Sequence, residues 1–130
     1  MSHRAIYTDH APAALGPYSQ AIAVPLGDRE LLFLAGQIPL VPSTGEVLDG
    51  RVEDQVEQVM QNLQAVLQEA GSGFDKVVKT TIFLQSMEDF AAVNEVYGRY
   101  FGEVPPARAT VAVNGLPKGV RVEIEAVAYR

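Results

Sequence analysis

Two runs near the end of the chain, "RATVAVN" (residues 108–114) and "VRVEIEAVAY" (residues 120–129), flank a short turn, "GLPK" (residues 115–118). Both are rich in β-branched residues and alternate in polarity, which is the pattern of strands with two unlike faces. In the second run Val122, Ile124, Ala126 and Ala128 share a face that suits a core, and Arg121, Glu123 and Glu125 share the other. In the first, Arg108, Thr110 and Ala112 have one parity, and Ala109, Val111 and Val113 the other. Paired as a hairpin closed by Gly115 to Lys118, the runs set Thr110 opposite Glu123 and Arg108 opposite Glu125. A guanidinium, a hydroxyl and two carboxylates then occupy one patch, on the sheet face that the helices leave free. A cross-strand ion pair on a wetted sheet face is one reading of it. A site for a small acid is the other, because Arg holds a carboxylate bidentately and Glu moves protons.

Working back towards the N-terminus, the apolar period changes from two to between three and four. Val52, Val56, Val59, Leu63, Val66, Leu67 and Ala70 form one helical face, and Gly71 suits the position just past its end. Residues 75–85 (DKVVKTTIFLQ) read as a strand. Ser86 to Asp89 resembles a capping box, and Phe90, Val93, Val96, Tyr97, Tyr100 and Phe101 mark a second helix that Pro105-Pro106 stops. Residues 20–26 and 30–37 are strands joined by Gly27-Asp28-Arg29, and residues 4–7 form a short edge strand. "GPYSQA" (residues 16–21) is a stiff turn that delivers Tyr18 and Ser19 to the mouth of a strand.

The predicted fold is a single α+β domain over residues 1–130, a sheet with two helices on one face. Two helices cover one sheet face only. Yet "LLFLA" (residues 31–35) and "VVKTTIFL" (residues 77–84) are apolar at both parities, so both faces demand burial. A homo-oligomer that covers the helix-free face follows from this.

The 130 residues carry a formal charge of −6, which argues against nucleic acid as a partner, since phosphate backbones call for clustered Lys and Arg. The chain has no cysteine, so a thiol nucleophile and thiolate metal ligands are absent, and its two histidines, His3 and His10, belong to no metal-binding motif. Neither a metal nor another cofactor is expected. No apolar run reaches membrane-spanning length and the N-terminus lacks a signal-peptide core, so a cytoplasmic protein without membrane contact is the expectation.

"GPYSQA", "AGQIP" (residues 35–39), "DFAAVNEVY" (residues 89–97), "PPARATV" (residues 105–111) and "LPKGVRVEIEAVA" (residues 116–128) together resemble the Rid family, the RidA/YjgF group of reactive intermediate deaminases. The resemblance is collinear from about residue 10 onwards. It implies a chorismate-mutase-like domain, a homotrimer with three clefts between subunits, and hydrolysis of 2-imino acids or their enamine tautomers to 2-keto acids and ammonia. Such substrates include 2-aminoacrylate, 2-iminopropanoate and 2-iminobutanoate. By the same resemblance Arg108 binds the substrate carboxylate, Glu123 activates water and serves the imine's protons, and Tyr18 lines the cleft. Thr110, Asn94, Gly36 and Ala35 match further substrate-binding positions, with Gln37 beside them. Two residues depart from the family's frequent pattern, Thr110 standing where many members have Cys and Ala35 where they have Ser. A non-catalytic ligand-binding or chaperone-like trimer is the alternative. A ribonuclease or translation inhibitor is a weaker one, disfavoured by the acidic balance and the lack of a histidine pair.

Overall fold

The computed structural model describes residues 2–130. Six strands, β1 (Arg4–Ile6), β2 (Ala21–Leu26), β3 (Arg29–Gln37), β4 (Val77–Leu84), β5 (Ala107–Ala112) and β6 (Val122–Tyr129), make one sheet in the order β1-β2-β3-β6-β4-β5. Every neighbouring pair is antiparallel except β4 and β5. Parallel neighbours need a crossover, and helix α2 (Phe90–Gly98) supplies it. Helix α1 (Val52–Glu69) lies beside α2 and packs on β3 and β6. The mixed α+β fold, two helices over one sheet face, agrees with the reading of the sequence.

The core fills the layer between helices and sheet. Val56, Val59, Leu63, Val66 and Leu67 of α1 meet Val122, Ile124, Ala126 and Ala128 of β6, all buried. The end of α1 is also as expected. Gly71, at φ 77°, lets its N–H reach the Gln68 carbonyl at 3.0 Å while the Ser72 N–H reaches that of Leu67 at 2.8 Å. These are the paired bonds of a Schellman cap. The capping box before α2 forms by half. Ser86 Oγ accepts from the Glu88 N–H, but the Asp89 carboxylate turns away to bind the Arg121 guanidinium at 2.6 and 3.2 Å. A charged partner outcompetes a neutral backbone donor there.

The C-terminal hairpin is not formed. β4 lies between β5 and β6, so Thr110 pairs with Ile82 and Arg108 with Thr80, while Glu123 pairs with Phe83 and Glu125 with Thr81. Ile82 and Thr80 are buried on the helix side, and Arg108 and Thr110 share that side with them. Glu123 and Glu125 occupy the helix-free side, between residues of β6 that face the core. The expected patch is thus split between two faces of the sheet. β4 gains from this position because a strand apolar at both parities is better placed inside a sheet than at its edge.

The N-terminal segment is tied to the sheet by one side chain. Buried Gln20 accepts from the Thr8 N–H at 2.7 Å and donates to the carbonyls of Thr8 at 3.1 Å and Pro12 at 2.9 Å. Buried backbone groups left without partners cost about 1–3 kcal/mol each. Gln20→Leu, which keeps the volume and removes the amide, should therefore lower stability by about 2 kcal/mol or more. Amide hydrogen exchange should accelerate across residues 8–18 while the amides of α1 stay protected in the folded state; unchanged exchange in that segment would contradict this role.

Candidate active site

Strand β3 does not run evenly past β6. Leu34 pairs with Ala126, but the next ladder pair is Gln37 with Ile124, so Ala35 and Gly36 together occupy the space of one residue. Such a bulge reverses the alternation that follows it. Leu34 and Gln37 both end up buried although their numbers differ in parity. Gly36 is left facing the Glu123 side chain, and a Cβ there would stand 2.2 Å from Glu123 Oε2. A side chain there would push that carboxylate out of its present position.

Glu123 is half-buried, and burial pushes its carboxyl above the usual range, with the Glu125 carboxylate adding to the rise. It forms part of a cleft of about 460 Å³ whose other polar members are Tyr18, Gln20, Gln37 and Lys118. Ala35, Gly36 and the residues flanking the GPYSQA turn complete the wall. Tyr18 is 55% exposed, and its N–H bonds the Gly16 carbonyl at 2.8 Å, so the turn holds the ring out of the core. Lys118 adopts the left-handed conformation at φ 56°, which non-glycine residues adopt at a cost. It does so in the loop that closes over the same cleft.

Arg108 stands elsewhere. Its Nη1 donates to Asn94 Oδ1 at 2.7 Å, and its guanidinium carbon lies 5.1 Å from the Tyr97 ring centroid and 5.7 Å from that of Phe90. A second cleft, of about 500 Å³, opens beside it between α2 and the Pro105-Pro106 turn. Beneath the guanidinium, Thr80 and Tyr97 share a buried hydroxyl–hydroxyl bond of 2.7 Å. That bond and the aromatic platform fix the base on which Arg108 rests. Asn94 Oδ1 occupies one donor, and the exposed fork keeps others for an anion. The Thr110 Oγ1, two residues along β5, is buried and has no hydrogen-bond partner among the described residues.

The fold thus brings Tyr18, Ala35, Gly36, Gln37 and Glu123 together in one cleft, and Arg108 and Asn94 together in another. Two strand spacings and three residues of rise separate Arg108 from Glu123, roughly 14 Å between backbones on opposite sheet faces. Within one chain they do not share a ligand. Gln20 and Lys118 were not expected at the cleft. Gln20 lies within "GPYSQA", where Tyr18 and Ser19 draw the attention, and Lys118 lies within "LPKGVRVEIEAVA", where it reads as a turn residue. Among the described residues no three His, Cys, Asp or Glu side chains stand close enough to hold a metal ion, and no helix is long and apolar enough to cross a membrane.

The raised carboxyl of Glu123 has a consequence for stability. The unfolded chain releases this proton near the ordinary value, about 4.5, and the folded chain only above it. Folded protein therefore binds more protons in that window, and stability falls as pH rises through it. Glu123→Gln removes the loss. Its melting temperature relative to wild type should be more favourable at pH 7 than at pH 4, and a difference independent of pH would refute the assignment.

The family model described as Endoribonuclease L-PSP matches residues 8–130. Protein DfrA of Myxococcus xanthus is 56% identical over 128 residues, covering 98% of this chain and 96% of its own. The 2-iminobutanoate/2-iminopropanoate deaminase of Mus musculus is 48% identical over 127 residues, with 98% and 91% covered. The crystal structure of E. coli TdcF with bound serine superposes with a TM-score of 0.88 at 41% identity and covers 98% of each chain. With the whole sheet, both helices and nearly the full sequence matched, the chain belongs to the YjgF/RutC, or Rid, family.

Proposed function

We propose that the protein hydrolyses 2-imino acids and their enamine tautomers to 2-keto acids and ammonia, in clefts formed between the copies of a homotrimer. The observation that carries this reading is the separation of Arg108 from Glu123. One chain holds an anion-binding fork on the helix side of its edge strand and a desolvated carboxyl on the other side of the sheet. A carboxylate-bearing substrate meets both only when a neighbouring copy supplies one of them. The helix-free face offers apolar surface for that contact, since Phe33 and Val111 on it are more than two-fifths exposed.

In such a cleft the Arg108 guanidinium takes the substrate carboxylate and fixes the imine carbon. Glu123 from the other copy holds the water, receives its proton as the oxygen bonds the imine carbon, and returns protons to the departing nitrogen. A carboxyl raised above its usual range suits both directions of transfer. Tyr18 closes the wall, and the Thr110 hydroxyl replaces a thiol that this reaction does not need. Support for the reaction class comes from the likeness to the mouse deaminase, and support for a small carboxylate ligand from the serine bound in TdcF. Both substrate and product are small 2-imino and 2-keto acids.

Mixed subunits test the chemistry and the shared cleft together. Arg108→Ala and Glu123→Gln should each lower imine hydrolysis by about 10²-fold or more. Unfolded together in equal amounts and refolded, they should recover about a quarter of wild-type activity, because each cleft draws one residue from each of two randomly chosen copies. Ammonia release from 2-aminoacrylate generated in situ is the readout. Recovery absent from mixed assemblies that light scattering finds trimeric would place both residues in one subunit's site and overturn the model.

A further inference from the structure

Two hydroxyls lie where the core would be simpler without them. Thr80, in the middle of β4, and Tyr97, on the inner face of α2, are both buried, with their oxygens 2.7 Å apart. A valine and a phenylalanine at these positions would fill the same space and leave no polar atom to satisfy. The net gain in stability from such a bond is small, so its use lies in what it holds still.

What it holds still is a ring under Arg108. Thr80 and Arg108 are ladder partners on neighbouring strands, so the backbone fixes the spacing between them. Tyr97 reaches from the helix layer to Thr80, and its ring centroid comes to lie 5.1 Å from the guanidinium carbon. The same ring packs on Phe101 at 4.7 Å, and Phe101 packs on Phe74 at 5.5 Å. Phe90 and the Asn94 carbonyl hold the guanidinium from further along α2. Burial pushes the Tyr97 phenol above its usual value, against the opposing pull of the Thr80 bond and the Arg108 charge, so the hydroxyl keeps its proton at neutral pH. An exposed arginine loses rotamer freedom when it docks on an anion, and one already held has less to lose.

We propose that Thr80 and Tyr97 are positioning residues for carboxylate binding: their bond locks the ring, and the ring aims the guanidinium before a substrate arrives; the inference rests on the imine-hydrolase reading above. Neither side chain touches the substrate. The fork grips the same carboxylate before and during the reaction, so a loosened fork costs affinity at the binding step and leaves the chemical step its geometry.

Tyr97→Phe keeps the ring and removes the hydroxyl. It should raise KM for imines generated in situ, and Kd for pyruvate in calorimetry, by about 10-fold each, with kcat within about twofold of wild type. Thr80→Val should do the same, and both together should do no more than either alone, because the same bond is lost each time. The double variant separates aiming from folding. It leaves neither hydroxyl without a partner, so its melting temperature should recover towards wild type while KM stays high. Recovery of both makes the pair merely structural and overturns the proposal, as does a KM unchanged in the single variants. Imine hydrolysis absent from the wild-type protein defeats the reaction class instead, and the aim of Arg108 is then read without substrate. Its Nε–H signal, assigned by its loss in Arg108→Ala, should show restricted motion in nitrogen-15 relaxation of the wild type and freer motion in both single variants; equal motion refutes the pair.

Discussion

The parallel pairing of β4 with β5 is the constraint on which the rest of this structure depends. It forces α2 to cross over the sheet, and so it decides which face the helices cover. It also puts β5 at the edge, with Arg108 turned up against α2 and away from the carboxylates of β6. Had β5 folded back on β6, the guanidinium would have faced Glu125 and spent its charge inside its own subunit. The crossover leaves the two groups on separate faces, where neither charge neutralises the other. In the proposed function, their separation is what a second copy of the chain would complete.

Much of the fold is legible in the sequence because its signals are local. The apolar stripe from Val52 to Ala70, the cap at Gly71 and the alternation from Val122 to Ala128 each need only their own neighbours to be understood. The partner of β5 is different. Nothing within "RATVAVN" distinguishes a hairpin with β6 from a parallel ladder with β4, since Arg108, Thr110 and Ala112 on one parity and Ala109, Val111 and Val113 on the other leave either face able to turn to the helices. The choice is made by β4, which is too apolar on both faces to lie at an edge. The resemblance to a family named the site residues without placing them on a face, and residue spacing alone placed Arg108 and Thr110 on the wrong one.

The bulge in β3 is hidden for a related reason. "LLFLAGQIP" is apolar at both parities, so a shift of phase at Ala35-Gly36 leaves no trace in the pattern. Its purpose emerges from the contact across the ladder, where the missing Cβ of Gly36 makes space for Glu123. The two features belong together, because a half-buried carboxyl costs stability and needs a neighbour that does not crowd it. Gln20 performs the complementary task. It spends one buried amide on holding a whole surface segment still, so that an exposed tyrosine stays where the turn puts it.

The edge position of β5 has one more effect, on behaviour at high concentration. A strand at the end of a sheet offers unpaired backbone to any passing chain, and edges of this kind seed fibrils. Here the exposed strand is only six residues long, follows directly on Pro105-Pro106 and carries Arg108. Prolines withhold donors and a charge resists stacking against its own copy, so edge-to-edge growth is hindered at the N-terminal end of the strand. The guanidinium therefore guards the edge against aggregation, whatever else it binds.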